Sequence, residues 1–171
     1  MTMKLTHAPP GYRSPFLDVV EGKGSFGTLT KQSDVFYRDA VLTAFVSAAR
    51  YQQVGGNALV VPNVAFENLY TVPDDVLCAV HTFSKRLALA FKTVYSCDGV
   101  LLRQHNEPAG SQDVWHYHLH VIPRFADDRF YATLPQKIWT TPEERAPYAE
   151  ALRDYFAKNS SNTLTSSSKA G

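Results

Sequence analysis

Between Trp115 and Ile122 the chain reads WHYHLHVI, with His116, His118 and His120 at every second position. In an extended strand alternate side chains point the same way, so this spacing predicts one strand face bearing three imidazoles about 7 Å apart. Half of the six histidines in the sequence are gathered here. A merely solvated face would be served as well by Lys, Thr or Glu, so the clustering asks for a chemical reason.

Around this segment, short extended runs alternate with two helical stretches. Val35 to Tyr37 and Val41 to Val46 flank Arg38-Asp39-Ala40 and predict a hairpin. Ala58 to Val61 is a continuous apolar run stopped by Pro62 and Asn63, which predicts a buried strand central in the sheet. Val100 to Gln104 and Trp115 to Ile122 read as antiparallel partners joined by a loop containing Asn106, Pro108 and Gly110. A helix is predicted from a cap at Thr71 or Val72 to about Phe91. Its apolar face is Leu77, Val80, Phe83 or Ser84, Leu87 and Phe91. A second is predicted from about Pro147 to Lys158, because Pro147 would interrupt one starting at Thr141. Locally paired strands with segregated helices indicate an α+β fold.

With 171 residues, 44% of them hydrophobic, the chain can bury one sizeable core and is expected to form one domain. The expected organisation is an irregular segment over 1–14, the domain over 15–158 and a disordered Ser/Thr-rich tail over 159–171. A net charge of +1 excludes a global electrostatic pull toward duplex nucleic acid or an anionic membrane. Cys78 and Cys97 form neither a CxxC pair nor a zinc-type spacing, so no disulfide or structural metal is expected and a cytoplasmic setting fits. Met1 to Pro10 lacks the apolar run of a signal peptide, and no stretch reaches the roughly 20 apolar residues of a membrane helix.

Two chemistries could use the three histidines. One is a metal site, but His7, His81 and His105 are isolated in the sequence, and a further ligand would have to come from an unmarked position. The other is nucleophilic attack on phosphorus, for which an imidazole of ordinary pKa about 6.5 offers a free lone pair near neutral pH. The preceding loop, Asn106 to Asp113, supplies two side-chain amides and a glycine that lets backbone approach an anion. Donors and nucleophile would then meet at the start of the histidine strand.

The segment from His116 to Arg124, HYHLHVIPR, preceded by Asn106 and Gln112, resembles the signature of the histidine triad (HIT) family. The resemblance continues through Ser14 to Gly22, Ala44 to Ser47, Asn57 to Pro62, Glu67 to Leu69 and Pro73 to Asp75, and so covers most of the span from Pro15 to Phe156. It implies an antiparallel sheet of about five strands with two main helices, continued across a homodimer. It also implies a nucleotide hydrolase or transferase in which His118 is the nucleophile and forms a covalent nucleotidyl-histidine, supported by His116 and His120. Asn106 and Gln112 match phosphate-side positions, Phe16 and Phe45 the apolar base pocket, and Ser47 the ribose contact. No metal or other cofactor is implied.

Two positions depart from the family pattern. Asn57 stands where a further histidine is frequent and cannot shuttle a proton near neutral pH, although it could contact a leaving group. Asp113 replaces a hydroxyl residue and would repel an anionic substrate unless turned away. Ser14 and Leu17 occupy places where some members carry zinc-ligand cysteines. His120 separates the chain from the uridylyltransferase branch, which has glutamine there. The expected substrate is a nucleoside 5′-phosphoramidate or a dinucleoside polyphosphate. The alternative is a nucleotide-binding module with little catalysis.

Overall fold

The computed structural model describes residues 4–23, 29–51 and 54–159. Its elements in chain order are α1 (Pro15–Val20), β1 (Val35–Arg38), β2 (Leu42–Val46), β3 (Ala49–Tyr51), β4 (Ala58–Pro62), α2 (Asp74–Val94), β5 (Gly99–Arg103), β6 (Leu119–Arg124), α3 (Phe130–Thr133), β7 (Lys137–Trp139) and α4 (Pro142–Asn159). Five strands form one antiparallel sheet in the order β1-β2-β4-β6-β5, and β3 pairs with β7 in a second, two-stranded sheet. The predicted α+β class and five-stranded sheet are therefore present, with the apolar strand β4 at its centre.

The β1–β2 hairpin closes because Asp39 Oδ1 accepts from the backbone N–H of Val41 and of Leu42, both at 2.8 Å. Alternation then sorts the sheet into two faces. Ala44, Val46, Ala58, Val60, Leu119 and Val121 point to the side covered by α2 and α4, meeting Val80, Phe83, Leu87, Phe91, Leu152 and Phe156. Truncating one of these, such as Leu87 to Ala, would cost roughly 2–5 kcal/mol through lost burial and the cavity left behind. The other face carries Phe45, Leu59 and Val61 against Phe16 and Val19 of α1, and farther along Ile122 against Tyr51 and Phe130. α2 and α4 thus leave this second face to α1, α3 and a site between them.

Several boundaries differ from expectation. α2 begins at Asp74 with Pro73 at its cap, because the Thr71 hydroxyl is engaged locally with Asn68. It runs a turn past Phe91 to Val94, where the Lys92 ammonium donates to the carbonyls of Cys97 and Asp98. α4 starts at Pro142, not Pro147. Thr141 and Glu144 form a reciprocal capping box: Thr141 N–H donates to Glu144 Oε2 at 2.7 Å, and Glu144 N–H donates to Thr141 Oγ1 at 3.3 Å. Pro142 occupies the first turn, where no N–H is needed. The helix then tolerates Pro147, whose missing N–H removes one intrahelical bond near the start.

The histidine segment is the most instructive correction. The β6 ladder begins only at Leu119, so Trp115 to His118 precede the strand. At this point the imidazole of His116 takes the Pro62 carbonyl of β4, at 2.9 Å, an acceptor that strand pairing would otherwise use. Tyr117 N–H meanwhile donates to the Phe66 carbonyl, at 2.6 Å. The alternation of side chains nevertheless persists, with Tyr117, Leu119 and Val121 in the helix-covered core and the histidines opposite.

The described part of the N-terminal segment, from Lys4 to Ser14, is irregular but tied down. The Asn68 amide donates to the Leu5 carbonyl at 2.6 Å, Ala8 N–H donates to Glu67, and the His7 ring stacks on Trp115. Of the tail expected from residue 159 onward, Asn159 ends α4 and 160–171 lie outside the described residues.

Candidate active site

His118 is buried immediately ahead of β6 and is held by its own backbone neighbourhood. Its Nδ1 lies 2.7 Å from the His116 carbonyl, which can only accept, so Nδ1 carries the proton and the lone pair is left on Nε2. Burial pushes the pKa of His118 below its ordinary value, against the opposing pull of that hydrogen bond and of the Asp113 charge. The ring is therefore neutral near pH 7 and fixed in one tautomer.

His116 has no such freedom. Its Nε2 donates to the Pro62 carbonyl at 2.9 Å, so its Nδ1 accepts from the Ser14 hydroxyl at 2.8 Å. The Ser14 oxygen in turn accepts from Phe16 N–H at 3.1 Å and caps α1. Desolvation lowers the His116 pKa to about 4. With both nitrogens engaged, His116 is a strut that fixes the carbonyl orienting His118. His120 stands edge-on to His118, with ring centroids 5.0 Å apart, and among the described residues its buried Nδ1 has no hydrogen-bond partner. Burial lowers its pKa well below the ordinary value, and the neighbouring His118 adds to this.

His118 and His120 line a cavity of about 250 Å³ whose walls are largely apolar, including Phe16, Leu59, Val114, Ala49 and Trp139. Phe16 meets His118 edge-on at 5.3 Å between centroids. Phe45 is fully buried behind Phe16, at 5.6 Å, and does not line the cavity, so its contribution is to hold Phe16 in place. Ser47 lies on the wall, its hydroxyl accepting from Ala49 N–H at 3.2 Å. A second, more polar cavity of about 190 Å³ shares His120, Tyr51, Asp113 and Lys137 with the first and adds Arg103 and His105.

Asn106 and Gln112 sit in the loop ahead of the histidines with their amides engaged. Asn106 exchanges hydrogen bonds with Gln104 and accepts from Leu69 N–H. Gln112 accepts from Glu107 N–H at 2.8 Å and donates to the carbonyls of Glu67 and Val114. These bonds hold Glu107 at φ 61° and ψ 164°, a conformation that glycine alone adopts readily. Both residues thus brace the loop, and neither lines the histidine cavities.

Asn57 lines neither histidine-bearing cavity. It lines a cavity with Arg50 and Tyr148 that shares Ser47 with the first, and among the described residues its buried Nδ2 has no partner. Asp113 is exposed and lines both histidine-bearing cavities, so its carboxylate stands at the rim.

Ser14, Arg103, Lys137 and Trp139 were not legible as site residues. Ser14 ahead of Pro15 is a readable helix cap, but its second partner, His116, lies 102 residues away. Lys137 and Trp139 depend on a three-residue strand too short to leave a pattern. Among the described residues no group of three or more His, Cys, Asp or Glu is placed to hold a metal ion. No helix among them is long and apolar enough to cross a membrane.

Comparison with known proteins agrees with this geometry. The HIT domain family model matches residues 28–127. An uncharacterized HIT-like protein of Saccharolobus solfataricus is 25% identical over 113 residues, 66% of this chain and 75% of that protein. The adenosine 5′-monophosphoramidase of Saccharomyces cerevisiae is 35% identical over 69 residues, 40% of this chain and 41% of that enzyme. Among solved structures, a Hit-like protein from Bartonella henselae involved in cell-cycle regulation superposes with a TM-score of 0.70 at 25% identity, covering 82% of this chain and 94% of its own.

Proposed function

The chain belongs to the histidine triad (HIT) family, and on that premise we propose that it is a nucleotide hydrolase or transferase with His118 as its nucleophile. The observation that carries this reading is the 2.7 Å bond from His118 Nδ1 to the His116 carbonyl, because it leaves the nucleophilic lone pair on Nε2 of a neutral ring lining the cavity. The substrate is a nucleoside 5′-phosphoramidate or a dinucleoside polyphosphate, cleaved at the α-phosphate.

In this reading the nucleoside occupies the apolar cavity against Phe16, with Phe45 behind it and Ser47 on the ribose side. His118 Nε2 attacks the α-phosphorus, the bond to the leaving group breaks, and the departing atom keeps the electron pair. The imidazolium so formed, protonated at Nδ1, is stabilised by the His116 carbonyl. Water then attacks the same phosphorus, the N–P electrons return to Nε2, and the nucleoside monophosphate leaves with release of a proton. His120 contacts the phosphoryl oxygens, and Asn106 and Gln112 act on the phosphates through the loop they brace. Asn57, which lines neither histidine-bearing cavity, is not assigned a step.

We further propose a cytoplasmic homodimer, with Cys78 and Cys97 as the free thiols a reducing compartment maintains. The decisive experiment is intact-protein mass spectrometry after acid-free quenching, with adenosine phosphoramidate and diadenosine polyphosphates as substrates. A nucleotidyl adduct is expected on the wild type and not on His118→Ala, whose turnover should fall by roughly four orders of magnitude or more. Wild-type turnover by His118→Ala would refute the assignment. Tight nucleotide binding without adduct or product would instead favour a binding module.

A further inference from the structure

The two histidine-bearing cavities differ in chemistry, and the register of the sheet explains why. His120 on β6 is paired directly with Leu59 of β4 on one side and with Arg103 of β5 on the other. Directly paired residues share a face, so His120 stands between an apolar neighbour and a guanidinium. Lys137 and Trp139, two residues apart on β7, both line the first cavity, and Lys137 lines the second as well. The Lys137 ammonium lies 5.2 Å from the Trp139 ring centre, while Trp139 is 60% exposed.

Arg13, Lys23, Arg124 and Arg145 each carry a carboxylate partner, whereas among the described residues neither Arg103 nor Lys137 has an ion pair or a side-chain hydrogen bond. Among the described residues the one carboxylate lining the second cavity is Asp113, at its exposed rim, so the cations there outnumber it. Both positive charges also disfavour protonation of His120, and Lys137 does the same at His118.

Resting on the nucleotide hydrolase reading above, we propose that Arg103 and Lys137 form the leaving-group pocket for a charged phosphoanhydride chain. The substrate class is then a nucleoside 5′-polyphosphate or dinucleoside polyphosphate in preference to a phosphoramidate. The nucleoside lies in the apolar cavity and the polyphosphate passes His120 toward the two cations. As the His118 Nε2–phosphorus bond forms, the P–O bond to the β-phosphate breaks. Its electron pair stays on the departing oxygen, which gains one negative charge beside Arg103 and Lys137. Hydrolysis of the adduct returns neutral His118 and releases one proton, so a dinucleoside polyphosphate and water give a nucleoside monophosphate and the shortened nucleotide. An amine leaving group gains nothing from these cations.

The test is the ratio of kcat/KM for diadenosine tetraphosphate to that for adenosine phosphoramidate, in the wild type, Arg103→Gln and Lys137→Gln. Each substitution should lower the ratio by roughly ten- to a hundredfold, as expected for loss of a charge-assisted contact made to one substrate alone. Because the ratio is internal to each protein, a general loss of folded enzyme cancels, and the exposed Lys137 offers the milder replacement. ATP, assayed alongside, separates pyrophosphate from a nucleotide as the favoured leaving group. Ratios within about threefold of wild type in both variants would overturn the pocket. So would a wild type that forms its His118 adduct from phosphoramidate alone, and that result would leave the nucleophile assignment standing. Absence of an adduct from every substrate would overturn both.

Discussion

At the scale of single residues, the chemistry turns on which imidazole nitrogens are free. His116 has both engaged, His118 has Nδ1 engaged, and the buried Nδ1 of His120 has no partner among the described residues. Attack requires neutral His118, and burial holds its pKa below 6.5. Proton binding removes activity, so kcat/KM should be flat at neutral pH and fall on acidification through a midpoint below 6.5. Asp113 raises that pKa, so Asp113→Asn should move the midpoint to still lower pH. A pH–rate profile of both proteins checks the sign: a midpoint above 6.5, or an upward shift in the variant, contradicts the electrostatics described.

At the scale of elements, α4 is fastened to the turn before β1 by a buried ion pair. Arg145 Nε and Nη2 donate to the two Asp34 oxygens, each at 2.8 Å, and Arg145 also donates to the carbonyls of Leu29 and Thr140. Both residues are almost wholly buried, at 2% and 0% exposure. Removing one partner leaves an uncompensated charge, so Arg145→Met should destabilise the fold by about 3–5 kcal/mol in urea unfolding. The double variant Asp34→Leu with Arg145→Met should recover much of that loss, because the pair's net worth against apolar replacements is small. The pair was illegible in sequence, where the partners stand 111 positions apart. The capping box Thr141–Glu144 outweighs Pro147 in setting where α4 begins.

At the scale of the whole molecule, the sheet order leaves β1 and β5 as its edges among the described residues. An edge strand presents unpaired backbone groups, and β5 also exposes Leu102 at 44%. This is the edge through which the proposed homodimer would continue its sheet. Multi-angle light scattering should therefore give a dimer mass for the wild type and a monomer mass for Leu102→Lys, which places a charge at that edge. A monomeric wild type, or a variant that stays dimeric, would locate self-association elsewhere or remove it.

The spacing of His116, His118 and His120 determined by itself that three imidazoles share a side, because side-chain alternation is a property of extended backbone and holds even where the ladder has not begun. Local apolar pattern likewise determined the β1–β2 hairpin, the buried β4 and the face of α2. Tertiary structure alone decided what each imidazole does. The Ser14 hydroxyl and the Pro62 carbonyl that fix His116 come from 102 and 54 residues away. The pairing of β3 with β7 brings Lys137 and Trp139 to the cavity across some ninety residues of chain, and the β5–β6 register sets Arg103 beside His120. The physical reason is that periodicity records which side of the backbone a residue occupies, whereas tautomer, charge and partner depend on contacts that only chain packing creates.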